Sequence, residues 1–113
     1  MEKIILDTSF ILTAVKNKID FFENLLGYEI LIPLQVIKEL EGLKKSNPVA
    51  ETCLKILEKN RFEKIDLKNK NTDKGIINYS NKNPKTIVAT FDREIKSKIE
   101  NKKIIMRGKI FEV

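Results

Sequence analysis

The sequence predicts an α/β protein, a three-layer α/β/α arrangement around a central parallel sheet with strand order 3-2-1-4-5. Two observations lead there. Short β-branched runs alternate with segments of helical spacing along the whole chain, and no Asn-Gly or Asp-Gly pair joins two strands as a hairpin. Parallel neighbours need crossover connections, and right-handed crossovers cover both faces of the sheet with helices. At 113 residues the chain suits one domain, spanning 1–113.

Lys3–Leu6 reads as the first strand and Thr8–Val15 as the helix after it. Ile19–Leu26 is a second helical stretch, ended by Gly27 where a left-handed residue is expected. Glu29–Ile32 is a short second strand; Pro33 suits the first position of a helix running to Leu43, with Gly42 near its end. Asn47-Pro48 pairs a cap with a first-turn proline and opens an amphipathic helix to Lys59, with Val49, Cys53, Ile56 and Leu57 on one side.

Phe62–Leu67 is a third strand interleaved with charge. Asn71 or Thr72 caps a helix to about Ser80, Asn83-Pro84 makes a turn, and Thr86–Thr90 forms the fourth strand. Asp92–Asn101 has helical spacing, Lys103–Arg107 is a fifth strand and Ile110–Val113 a terminal extension. Loops are expected at Lys68–Asn71 and Tyr79–Lys85.

Composition narrows the chemistry. The chain has no histidine and a single cysteine, Cys53, which excludes Ser-His-Asp and Cys-His catalysis, zinc fingers and intramolecular disulfides. What remains is carboxylates, Lys, Tyr, hydroxyls or a carboxylate-bound metal, and oxygen ligands select Mg²⁺ or Mn²⁺. No apolar run can cross a bilayer, and the four-residue apolar stretch before Asp7 is too short for a signal-peptide core, so a cytoplasmic protein without a membrane partner is expected. Lys and Arg outnumber Asp and Glu by 22 to 16, a net +6, which admits a polyanionic partner but equally suits a merely soluble surface.

The acids fall in an informative order. In open parallel sheets, ligands bind beyond the carboxyl ends of the strands where strand order reverses. Asp7 directly follows the first strand and Asp92 trails the fourth, so the expected topology brings both to one crevice. Asp73 lies in the first turn of the helix leaving the third strand. Glu39 lies six residues past Pro33, about 9 Å along the helix axis, and on that helix Glu39 and Glu41 occupy opposite shoulders about 160° apart. The spacing does not choose between those shoulders. Taken singly, Asp7 and Asp92 could serve only as helix caps, Asp73 as a dipole partner and Glu39 as a solvated flank residue.

Four pieces taken together, I-I-L-D-T-S around Asp7, P-L-Q-V-I-K-E-L around Glu39, T-D-K-G-I around Asp73 and I-V-A-T-F-D-R-E-I-K around Asp92, resemble the PIN-domain family of metal-dependent nucleases. The last piece is the most diagnostic and is similar to PIN nucleases that process ribosomal RNA. The resemblance implies a parallel α/β sandwich and an endoribonuclease that hydrolyses RNA with a metal-activated water and one or two Mg²⁺ or Mn²⁺ ions. Matched residue by residue, it implies Asp7, Glu39, Asp73 and Asp92 as the acidic quartet: Asp7 and Asp92 as central ligands, Glu39 as ligand or base, Asp73 beside them. Ser9 and Thr90 match the hydroxyls that accompany it.

Lys74 and Gly75 depart from the family pattern, where a further acid is common. They keep open an inactive RNA- or protein-binding module, and a VapC-type toxin is a further alternative. Arg93, Lys96 and Lys74 are candidates for holding the RNA backbone because they adjoin the acids in sequence. The partner classes are RNA, a second copy in a homodimer, and an antitoxin or ribosome-assembly protein. A phosphoacceptor receiver domain fits poorly, since Asp7 lacks an adjacent acid, and L-D-T-S-F offers no glycine-rich turn for a dinucleotide.

Overall fold

The computed structural model describes residues 1–113. β1 (Lys3–Leu6) is followed by α1 (Thr8–Lys16), α2 (Phe21–Asn24), β2 (Glu29–Pro33), α3 (Leu34–Leu43) and α4 (Pro48–Glu58). Then come β3 (Glu63–Ile65), α5 (Thr72–Lys82), β4 (Ile87–Ala89), α6 (Arg93–Ser97), β5 (Ile105–Arg107) and β6 (Ile110–Glu112). No helix is long and apolar enough to cross a membrane.

The parallel sheet runs β3-β2-β1-β4, in agreement with the expected order. β1 lies inside it, with Ile4 between Ile30 and Ile87, and Ile4, Ile5 and Leu6 are fully buried because helices cover both faces. The steps from β1 to β2 and β2 to β3 go one way and the step to β4 returns past β1, so right-handed crossovers place α5 on the face opposite α1, α3 and α4. That reversal sets the carboxyl ends of β1 and β4 side by side.

The fifth position differs in form. Backbone at Lys102–Ile104 runs parallel beside β4 through a bridge at Val88 and Lys103 and two hydrogen bonds. Beyond it the chain leaves the sheet, and β5 pairs antiparallel with β6. The hairpin turns on Gly108-Lys109; Gly108 has φ of +60°, which glycine adopts freely at the first central position of a primed turn. Phe111 of β6 is buried against Phe10, at 4.6 Å between ring centroids, and ties the hairpin to the core.

Element ends moved for local reasons. Asp20 accepts from the Glu23 N–H and starts α2 later than the apolar pattern suggested, while Gly27 takes the left-handed conformation expected of it. Pro33, at ψ of 142°, stays extended as the last residue of β2 rather than the first of α3. β3 ends early because the Asp66 carboxylate is bound by the Gln35 amide and the Lys68 N–H. α5 continues to Lys82, so the expected loop over Tyr79–Lys85 shrinks to its last residues; Pro84 disfavours helix at Asn83. α6 stops at Ser97 rather than Asn101, since buried Asn101 donates its amide to the Ser80, Asn83 and Thr86 carbonyls.

Candidate active site

Asp7 leaves β1 where the sheet must hand the chain to α1. Its own N–H is spent on the Ala89 carbonyl of β4, and its side chain caps α1 by accepting from the Phe10 N–H at 2.9 Å. The same Oδ1 accepts from the Ser9 hydroxyl at 2.8 Å, and Oδ2 accepts from the Thr90 hydroxyl. The residue is 4% exposed. Burial pushes its pKa above the ordinary aspartate value; the Thr90, Phe10 and Ser9 hydrogen bonds oppose the rise and the charge of Asp73 adds to it.

Both hydroxyls reach further. Thr90 Oγ1 accepts from the Asp92 N–H at 3.0 Å, and Ser9 Oγ accepts from the Phe91 N–H at 3.1 Å. The loop between β4 and α6 is thus stitched to Asp7, which fixes where Asp92 starts its helix. Asp92 caps α6 through Oδ1, which accepts from the Glu94 and Ile95 N–H groups. Its Oδ2 makes no hydrogen bond to the protein.

Asp73 is exposed in the first turn of α5, behind the Asn71 cap. Its pKa is raised, first by desolvation and then by the charges of Asp92, Glu39 and Glu94. Asp7, Glu39, Asp73 and Asp92 come from four separate segments that meet at one edge of the sheet. Glu39 is anchored to that edge: its Oε1 accepts from the Thr8 hydroxyl at 2.6 Å, across the gap between α3 and α1. The open choice between shoulders is thereby resolved, with Glu39 turned toward Asp7's neighbour.

The side chains do not form a ready-made cage, since no group of three carboxylates or thiols stands close enough to hold one ion together. The donor chemistry nonetheless fits a hard cation. Asp7, Glu39, Asp73 and Asp92 offer only oxygen, with no nitrogen or sulfur donor that would favour zinc, and desolvation first, with neighbouring carboxylates adding to it, raises the proton affinity of Asp7 and Asp73.

Of the basic candidates, Arg93 and Lys74 are exposed, whereas Lys96 is half-buried with its ammonium 5.5 Å over the Phe91 ring. Gly75 has a packing reason: a Cβ there would lie 2.9 Å from Leu67 Cβ, so an acid at this position would displace the loop that leads into α5. Sequence reasoning missed Thr8, whose contact with Glu39 depends on a crossing of two helices that no local pattern encodes. It also missed Glu94, although its place two residues past Asp92 was a usable signal.

A family model described as "PIN like domain" matches residues 4–109. The chain is similar to "Ribonuclease VapC4" of Methanocaldococcus jannaschii, at 32% identity over 127 aligned positions that take in 100% of this chain and 97% of the relative. In three dimensions it is similar to the PIN domain endonuclease Utp24, with a TM-score of 0.81 and 26% identity, over 96% of this chain and 88% of that one. The acids in their order along the chain, the reversal of strand order beside β1 and a match over nearly the whole length agree: this chain belongs to the PIN-like domain family.

Proposed function

We propose that this protein is a metal-dependent endoribonuclease that hydrolyses RNA phosphodiester bonds, with Asp7, Glu39, Asp73 and Asp92 as its acidic quartet. One observation carries the reading: the Thr90 hydroxyl donates to Asp7 Oδ2 and accepts from the Asp92 N–H, which ties the buried acid at the end of β1 to the acid that follows β4, while Thr8 draws Glu39 to the same edge. Carboxylates gathered at one edge, with Asp7 among them buried, cost stability, and such acids collect where a cation or a substrate offsets that cost. The ribonuclease and endonuclease named among its relatives support the same chemistry.

When bound, Mg²⁺ or Mn²⁺ supplies Lewis-acid stabilisation of the phosphoryl oxygens and a more acidic water. The chain's own contribution is placement. Thr90 and Ser9 hold Asp7 and position the loop that carries Asp92; Thr8 holds Glu39 where it can take a proton; Asp92 uses Oδ1 for its helix cap, which leaves Oδ2 available to a cation. Arg93 and Lys74 flank the acids and attract the RNA backbone. The T-F-D-R-E-I-K stretch, residues 90–96, supports a structured substrate of the ribosomal RNA class, and the full-length likeness to a VapC ribonuclease supports the second reading, a VapC-type ribonuclease with an antitoxin partner.

Labelled structured and single-stranded RNA incubated with purified protein tests the activity. Cleavage is expected with Mn²⁺ or Mg²⁺, none with EDTA, and none for Asp7→Asn or Asp92→Asn with the fold intact. Cleavage that survives EDTA, or full activity in both variants, overturns the mechanism. Binding without cleavage in Mn²⁺ favours the inactive RNA-binding module. Co-purification of a tight inhibitory protein partner separates the VapC-type reading from RNA processing.

A further inference from the structure

A basic pocket occupies the opposite edge of the sheet, at the amino ends of β1 and β4. It measures about 850 Å³ and is lined by Lys3, Lys82, Lys85 and Lys102 together with Asn83, Thr86 and other residues of the same segments. Glu2 is its single acid, so four lysines against one glutamate give this small surface a net +3 out of the chain's +6. All four lysines are exposed and none takes part in an ion pair, while the three ion pairs of the molecule lie elsewhere.

The frame under these lysines is rigid. The Asn101 amide binds the carbonyls of Ser80, Asn83 and Thr86, which fixes the connection from α5 to β4 that carries Lys82 and Lys85. The Lys102 carbonyl accepts from the Val88 N–H of β4 at 2.9 Å, and Lys3 opens β1 in register with Glu29. A larger groove of about 1500 Å³ beside α3, α4 and β3 contrasts with it, because its five basic and five acidic side chains cancel. Charge therefore marks the smaller pocket as the one suited to a polyanion.

We propose that Lys3, Lys82, Lys85 and Lys102 form a second RNA-binding site, which grips the phosphate backbone at a distance from the acidic edge. The inference rests on the ribonuclease reading and deepens it. At the acidic edge Arg93 and Lys74 set only two positive charges beside four carboxylates, so a long RNA gains affinity from a further basic surface. The two edges lie at opposite ends of β1, and an RNA that passes from one to the other over the covering helices runs along a molecule of 33 × 31 × 25 Å; at ~3.4 Å per nucleotide along a helical strand, this takes on the order of ten nucleotides. The site thus selects long or structured RNA over short oligonucleotides.

The test compares wild type, Lys82→Ala/Lys85→Ala and Lys82→Glu/Lys85→Glu, each carrying Asp92→Asn for binding measurements and native Asp92 for cleavage. Thermal melts verify folding. Fluorescent RNAs of about six and about thirty nucleotides are titrated across salt; each phosphate contact contributes roughly 0.7 to the slope of log affinity against log salt for single strands. The alanine pair is expected to lower that slope by about 1.4 and the glutamate pair to weaken the long RNA by at least tenfold, with the short RNA unchanged. Unchanged affinity and slope for the long RNA in the glutamate pair overturn the site while leaving the cleavage reading intact. RNA retention that depends on these lysines, from a wild-type protein that cleaves nothing, supports the site and rejects the nuclease. Vesicles containing phosphatidylserine are the last arm: if the glutamate pair loses vesicle binding but keeps RNA binding, the pocket serves a lipid surface and the proposal fails.

Discussion

The Asp7 carboxyl answers to two opposed demands, a helix that needs a cap and a core that resists charge. Its pKa is raised above 3.8 by burial, and Asp73 is raised as well. Between 3.8 and the raised value the folded protein holds a proton that the unfolded chain has released, so the contribution of these groups is most favourable below 3.8 and declines as pH rises through the folded pKa. In EDTA, the urea midpoint of Asp7→Asn is expected to fall less than that of wild type from about pH 4 to about pH 7. The difference between the two curves cancels groups of opposite sign such as Asp66, held low chiefly by Gln35. A difference curve that is flat or of reversed slope contradicts the assignment. Thr90 is the other test at this scale. Thr90→Val keeps the shape but strands Asp7 Oδ2 and the Asp92 N–H together, and a stability loss of about 1–3 kcal/mol is expected in urea unfolding.

Two helical glycines make opposite predictions at the level of the element. Gly42 in α3 has open space where a Cβ would stand, so Gly42→Ala is expected to stabilise by about 0.5–1 kcal/mol through helix propensity and a more restricted unfolded chain. Gly75 in α5 lies under Leu67, and the alanine there must move Leu67 Cβ, which hangs on the backbone and yields little. Strain of about 1–3 kcal/mol then exceeds the propensity gain, and Gly75→Ala is expected to lower the urea midpoint that Gly42→Ala raises. The same contrast shows what the sequence made legible. Strand-end acids and capping pairs such as Asn47-Pro48 are local signals, and they located Asp7, Asp73, Asp92 and most elements. The hairpin of β5 and β6 was not legible, because Gly108-Lys109 lacks the Asn-Gly or Asp-Gly signature and its stability comes from Phe111 reaching Phe10. Glu39's orientation needed the position of Thr8, and Gly75's role needed Leu67, both facts of tertiary packing.

Over the whole molecule, charge is sorted by edge: acids gather at the carboxyl ends of β1 and β4, and free lysines at the amino ends. The three ion pairs are solvent-exposed and contribute little to folding, so what holds the molecule together is one cluster of 26 buried apolar residues. The acidic edge remains the uncompensated term, and a cation that binds only the folded arrangement must stabilise it by mass action. At a hundredfold excess over Kd, Mn²⁺ should contribute about 2.7 kcal/mol. Converted at about 4 °C per kcal/mol, this raises the melting temperature by roughly 10 °C. Asp92→Asn should lose most of that rise because it removes the carboxylate oxygen left free at the edge, whereas Lys82→Ala/Lys85→Ala should keep it, lying at the other end of the sheet. Calorimetry with increasing Mn²⁺ measures all three proteins under one condition. Equal rises in wild type and Asp92→Asn would mean that the ion stabilises the protein from somewhere else, and the acidic edge would lose its claim to be a metal centre.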